Sequence, residues 1–385
     1  MIRGTGIRLR LLAFIAAWAA VISGCSSSDP VAPAALSFKD FLRSSQNPGF
    51  SRALKPIPFE FPRDHGAHPA FKNEWWYVTG NLEDPDGRRF GFQFTLFRDA
   101  LSPQQPDHPS RWATNQIYLA HAAVTDVQDN KSHSDERIAR GAIGLAGVSS
   151  EPFKAWLEDW QLVDRAQSEC ASCFAVQLTL ATGAFSLDLS LDTTRSAVLH
   201  GDSGLSQKSD TPGNASYYYS YTRLRTHGKM RIGEVVYKVQ GASWLDHEWS
   251  TSSLEESQAG WDWFSVQLSD NSELMLFQLR HRQDSARNYL SGTYRDARGN
   301  LFKLGPGAFT IESTGKWTSQ ETGSVYPAGW NITIPGSGIQ LEINPVIQNQ
   351  ELNASFRYWE GAVDISGRRR GRELTGRGYV ELTGY

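Results

Sequence analysis

Between Phe185 and Leu191, apolar and polar residues alternate one for one: Phe185, Leu187, Leu189 and Leu191 stand against Ser186, Asp188 and Ser190. That period of two buries one face of an extended strand and leaves the other wet. A helix of about 3.6 residues per turn cannot segregate the two sets. Runs that alternate, or are rich in aromatic residues, recur along the chain between Gly, Asp and Asn turn signals. They fall at 75–83, 90–98, 116–126, 156–163, 174–180, 184–191, 217–225, 229–240, 242–249, 261–269, 273–281, 290–295, 330–334, 339–344, 359–366 and 373–382, with 229–240 readable as a hairpin through Gly233. About sixteen strands with short connections predict an all-β chain of two barrels or sandwiches. The length of 385 residues suits two domains. Helix is expected only in short pieces, such as 37–44.

The two halves open alike. Glu74-Trp75-Trp76-Tyr77, a turn at Asp86-Gly87 and a strand ending in Arg98 form one hairpin. Trp261-Asp262-Trp263-Phe264, a turn at Asp270-Asn271 and a strand ending in Arg280 form the other. Each sets a carboxylate among aromatic residues and closes on an arginine. The repeat predicts two related β domains, 66–240 and 243–385; chance likeness of two aromatic-rich hairpins is the rival explanation.

The first residues belong to export. Arg3, Arg8 and Arg10 precede an apolar run from Leu11 to Ile22, too short for a bilayer span of about 20 residues and suited to a signal peptide. It ends in Ile22-Ser23-Gly24-Cys25, small residues before a cysteine, as a bacterial lipobox requires. The expectation is a lipoprotein signal peptide at 1–24 and lipidation of Cys25. A linker follows to residue 65, its Ser-, Pro- and Ala-rich part at 26–37 a disordered tether. Ser26 after the cysteine suits sorting to the outer membrane, facing the periplasm. An ordinary signal peptide with an incidental cysteine is the plainer alternative. Cys170 and Cys173 could close a tight disulfide in that oxidising compartment. They could also remain free thiols, or bind metal, for which no further ligands stand nearby.

With 38 Lys+Arg against 41 Asp+Glu, the chain lacks the basic excess that draws nucleic acid. A mean hydropathy of −0.42 excludes a polytopic membrane protein. Three clusters could carry chemistry: 72–77, 116–121 and the densest, Trp244-Leu245-Asp246-His247-Glu248-Trp249. On a strand, His247 and Trp249 share one face, and Trp244, Asp246 and Glu248 the other. A histidine can act as acid or base near neutral pH. A carboxyl held against tryptophan keeps its proton more readily, because desolvation disfavours its charged form. His247, Asp246, Glu74 and His121 are therefore the candidate acid–base groups. Three of them also have a structural reading: His247 as a satisfied core histidine, Glu74 as the partner of an arginine such as Arg98, His121 as a buried strand residue. Taken one at a time, the tryptophans read more readily as core than as a ligand platform. No His-x-x-x-His, Gly-x-Ser-x-Gly or phosphate-loop motif is present. No metal and no cofactor are expected.

Several motifs, taken in order, carry a resemblance: Lys72-Asn73-Glu74-Trp75-Trp76-Tyr77-Val78-Thr79-Gly80-Asn81-Leu82, Ser216-Tyr217-Tyr218-Tyr219-Ser220, the 244–249 cluster, Gly260-Trp261-Asp262-Trp263-Phe264 and Gly376-Arg377-Gly378-Tyr379-Val380-Glu381-Leu382. Together they resemble the AttH/CrtC lipocalin-like family, which includes carotenoid 1,2-hydratases and proteins labelled predicted secreted hydrolases. The resemblance spans about 66–385. It implies two tandem lipocalin-like β-barrel domains. In the hydratase branch a His and a Trp of the Asp-His-Glu-Trp type act with a Tyr-x-Asp on the following strand, whose Asp protonates an isolated C=C bond. His247 and Trp249 match; the strand at 273–280 offers Phe277 and Gln278 instead, so Glu74, Asp246 or Asp262 would have to supply the proton. Export-linked relatives imply an ABC transporter permease as partner.

The expectation is thus an envelope lipoprotein holding a long apolar ligand, a lipid or isoprenoid, near the domain junction. Trp75, Trp76, Tyr77, Trp249, Trp261 and Trp263 would line its site. The alternative is a hydratase or hydrolase using a His/carboxylate/Trp site.

Overall fold

The computed structural model describes residues 48–165, 174–193, 195–252 and 254–385. The signal peptide, Cys25, the tether, the 37–44 helix and the pair Cys170 and Cys173 lie outside the described residues. Among those described there is no α-helix, only three short 3-10 turns, one before the first strand and two between later strands.

The first sheet comprises β1 (Asn73–Glu83), β2 (Arg89–Ala100), β3 (Gln116–Asp126), β4 (Lys131–Arg140), β5 (Ala146–Ser150), β6 (Phe153–Leu157), β7 (Trp160–Asp164), β8 (Phe174–Ala181), β9 (Phe185–Thr193), β10 (Val198–Leu199), β11 (Leu205–Gln207), β12 (Ala215–Ile232) and β13 (Val235–Ser252). The second comprises β14 (Gln258–Leu268), β15 (Glu273–His281), β16 (Tyr289–Arg295), β17 (Leu301–Leu304), β18 (Thr310–Ser313), β21 (Trp330–Ile334), β22 (Ile339–Pro345), β23 (Glu351–Asn353), β24 (Arg357–Arg369) and β25 (Arg372–Thr383). A small ribbon, β19 (Lys316–Thr318) with β20 (Val325–Pro327), stands apart.

Both sheets follow one antiparallel plan. The chain meanders outward from its first strand and returns so that the last strand lies beside the first, β13 against β1 and β25 against β14. The first sheet is a nearly closed barrel ending at β4 and β5; the second is a half-barrel. The expected hairpin repeat is visible as chemistry. Glu74 lies directly across from Arg98 and pairs with it at 2.8 Å, and Asp262 pairs with Arg280 at 2.9 Å in the corresponding hairpin of the second sheet.

Burial explains which strands were legible. In β9, Phe185, Leu187, Leu189 and Leu191 are buried, with the polar residues between them facing outward. In β1 both faces are covered: Trp76 and Val78 join the barrel core, while Tyr77 joins an apolar layer between the two sheets. The boundary expected between 240 and 243 lies inside β13, and the chain leaves the first sheet only after Ser252. Gly241 lies within that strand, paired with Leu82 and Thr226, where a Cβ would fall 2.1 Å from Asn81 O. The run at 156–163 is a hairpin, β6 to β7, turning at Glu158 with a positive φ of 57°. Strand β4 went unread because it is polar on both faces, as edge strands often are.

Candidate functional site

The paired strands β1 and β13 carry two clusters of ionisable side chains, one on each face of the sheet. Alternation assigns them: Trp75, Tyr77, Asp246 and Glu248 face the half-barrel, whereas Glu74, Trp76, His247 and Trp249 face the barrel interior.

The cluster facing the half-barrel borders a cavity between the sheets. Its space open to the centre of a water molecule is about 70 Å³. Trp75, Phe97, Trp261, Trp263, Phe277 and Leu279 make its apolar walls. Asp246, Glu248, Glu360, Glu381 and Lys208 converge on it with Tyr77, Tyr218 and Tyr358. Glu360 and Glu381 are direct cross-strand partners on β24 and β25. Tyr77 donates a hydrogen bond to Glu360 Oε1, and Glu360 Oε2 has no hydrogen-bond partner among the described residues. Tyr218 Oη donates to Asp246 Oδ2 at 2.6 Å, and Ser220 and Trp244 donate to Oδ1. Trp263 in turn donates to Tyr218 Oη at 3.0 Å. Lys208 Nζ pairs with Glu248 at 2.6 Å and lies 4.6 Å from the Phe277 ring centre.

Burial among rings decides the protonation of three of these carboxyls. Desolvation, with the charge of Glu248 adding to it, pushes Asp246 up to about 7 against its three donors. Desolvation and the nearby charges of Asp246 and Glu248 push Glu381 up to about 8. Glu360 is lifted well above the ordinary carboxylate range by burial and then by Glu381, against the Tyr77 bond. Tyr77 and Tyr218, raised well above their usual value chiefly by burial, remain phenols and donate. Neutral carboxyls in an apolar cavity are proton donors waiting for an acceptor.

On the barrel side, Glu74 is fully buried. Its Oε1 lies 2.7 Å from His68 Nδ1 and 3.0 Å from His247 Nε2, and its Oε2 takes Arg98 Nε at 2.8 Å. Burial would raise Glu74, but Arg98 and His68 hold it well below its usual value. Burial lowers His247. Trp249 stacks on His68 at 3.7 Å, and Trp76 stacks on His247 at 4.6 Å. The structural readings of Glu74 with Arg98 and of His247 with a carboxylate both hold here.

Of the expected residues, the structure therefore brings Asp246, Trp75, Tyr77, Trp261 and Trp263 to the cavity. It turns His247, Glu74, Trp76 and Trp249 away from it. His121 lies behind the wall, its Nδ1 2.8 Å from Tyr358 Oη and its Nε2 2.8 Å from Glu136. The four acid–base candidates do not form one site, because neighbours on a strand point to opposite faces. Asp262 is occupied by Arg280, Gln278 and Tyr385. Sequence reasoning missed Glu360, Glu381, Lys208 and Tyr218. The available signal was a glutamate standing within an apolar strand, as in Trp359-Glu360-Gly361 and Val380-Glu381-Leu382.

Fold and site define a lipocalin-like protein of two β sheets with a cavity between them where carboxyls meet aromatic rings. The chain matches the AttH-like family over residues 52–385 and belongs to it. The crystal structure of an AttH protein from Nitrosomonas europaea is 35% identical with a TM-score of 0.76, covering 86% of this chain and 99% of that one. Kievitone hydratase from Nectria haematococca, 14% identical, shares the fold with a TM-score of 0.65, covering 88% of this chain and 98% of that one. No curated protein matches the chain.

Proposed function

We propose that the cavity between the sheets is the active site of a hydratase-type enzyme, adding water across, or removing it to form, a C=C bond in an apolar substrate. The observation that carries this reading is the Glu360–Glu381 cross-strand pair, Glu360 buried and Glu381 half-buried, both pushed toward the neutral form by desolvation and facing aromatic walls. In the hydration direction, Glu381 gives its proton to one alkene carbon. The faces of Trp75, Trp263 and Phe277 shield the cation left on the other. A water oxygen bonds to that carbon, and the proton it sheds returns to the carboxylate. Lys208 balances Glu248, so the site gains no further negative charge. The fold shared with kievitone hydratase agrees with this chemistry. So does the family resemblance, although the proton donor sits on β25 and not on the strand after the His-Trp motif.

The aromatic lining of the cavity and its place between the sheets support binding of an apolar substrate there. The lipobox supports an outer-membrane anchor at Cys25, which would present the cavity to membrane-derived lipids or isoprenoids. A link to an ABC permease is supported by the family resemblance. The test incubates the protein in ¹⁸O-labelled water with kievitone or an acyclic carotenoid and follows label uptake by mass spectrometry. Uptake by wild type that is lost in Glu381→Gln supports the reading; uptake indifferent to Glu381→Gln overturns it. Tight retention of a probe without turnover favours a carrier.

A further inference from the structure

We infer that His68, Glu74 and His247 form a binding site for one divalent first-row transition-metal ion inside the barrel, on the opposite face of the sheet from the carboxyl cavity. The candidate ligand atoms His68 Nδ1, Glu74 Oε1 and His247 Nε2 all lie within 4.8 Å of one another. Two imidazoles and a carboxylate are a ligand set that zinc and ferrous sites share, with room for a further ligand.

The surroundings are those that hold metal ligands in place. A ligating histidine commonly donates its other ring N–H to a carbonyl or carboxylate, which fixes tautomer and ring orientation. His247 Nδ1 lies 3.2 Å from the Asp64 carbonyl oxygen and 3.1 Å from Tyr219 Oη, so that carbonyl can take the ring N–H when an ion replaces the proton that Nε2 shares with Glu74. His68 Nε2 faces Asp64 Oδ1 at 3.7 Å, leaving Nδ1 toward Glu74. Glu74 Oε2 is fixed by Arg98 and by the His68 backbone N–H, which also reaches Oε1 at 3.1 Å; Oε1 is the oxygen that both imidazoles face. The stacked tryptophans set both ring planes, Trp249 lying only 3° from parallel with His68. The side chains of Glu74 and His247 are fully buried and that of His68 is 19% exposed, so an ion would enter past His68.

The ligands come from three places: the segment leading into the barrel, β1 and β13. An ion there would fasten that leading segment to the barrel wall. Such a clamp stands independently of the chemistry proposed for the cavity.

The experiment titrates chelator-treated protein with zinc chloride by calorimetry, and separately with cobalt(II), read by its visible absorption. One zinc per chain is expected, with affinity falling roughly tenfold or more in His68→Ala and in His247→Ala. The exposed-site control His108→Ala should bind as wild type. Cobalt should give ligand-field bands that His68→Ala abolishes. Should His247→Ala fail to fold, His68→Ala, altering a partly exposed side chain, decides alone. Absence of stoichiometric binding, or zinc and cobalt binding unchanged in His68→Ala, overturns the inference.

Discussion

Replacing Glu381, the proposed proton donor, with glutamine should make the protein more stable. Burial holds the Glu381 carboxyl at about 8 in the folded chain, against an ordinary value of 4.5. Above pH 4.5 the unfolded state releases this proton and the folded state does not, so wild-type stability falls as pH rises. The loss is complete once pH passes about 8. From pH 4.5 to pH 7, at about 1.4 kcal/mol per pH unit, the group costs about 3 kcal/mol. Glutamine keeps the shape and still accepts the hydrogen bond from Trp261, without that linkage. Urea unfolding of both proteins at pH 4.5 and pH 7 should give near-equal stabilities at the lower pH. At the higher, the variant should exceed wild type by about 3 kcal/mol, a gain characteristic of sites kept for function at the expense of stability. A variant less stable than wild type at pH 7, or an unchanged pH slope, would refute the placement of an uncharged carboxyl in the cavity.

Other outcomes follow from the same structure. Arg98→Met strips the buried Glu74 of its strongest partner and should cost roughly 3–5 kcal/mol in chemical denaturation. Hydratase turnover should be present below pH 7 and fall as pH rises through the range set by Asp246, at about 7, and Glu381, at about 8; a rate that climbs across this interval would count against acid catalysis. Gly241→Ala brings a Cβ against Asn81 O and should lower stability by roughly 1–3 kcal/mol without altering the cavity. Intact mass of membrane-extracted protein should begin at an acylated Cys25; an unmodified amino terminus there removes the anchor.

The all-β class was legible because strand alternation is local: β9 can be read from seven residues. The likeness of the two halves was legible because each has a hairpin that pairs a carboxylate with an arginine, Glu74 with Arg98 and Asp262 with Arg280. The site was only half legible. Trp75, Tyr77, Asp246, Trp261 and Trp263 stood out as a polar-aromatic concentration, but sequence does not tell which face of a doubly buried strand meets which neighbour. Hence His247 and Asp246, one residue apart, were read as one site and belong to two. Glu360 and Glu381 acquire meaning only through the β24–β25 register and the packing of the half-barrel on the barrel, both of them long-range. His68 likewise gains its partners only when the segment before β1 meets β13.

Infrared difference spectroscopy of wild type against Glu381→Gln at pH 7 tests the central assignment most directly. The account predicts a protonated-carboxyl carbonyl band in wild type that the variant lacks and that vanishes in wild type once pH is taken well above 8. A difference spectrum at pH 7 containing only ionised carboxylate bands would contradict it.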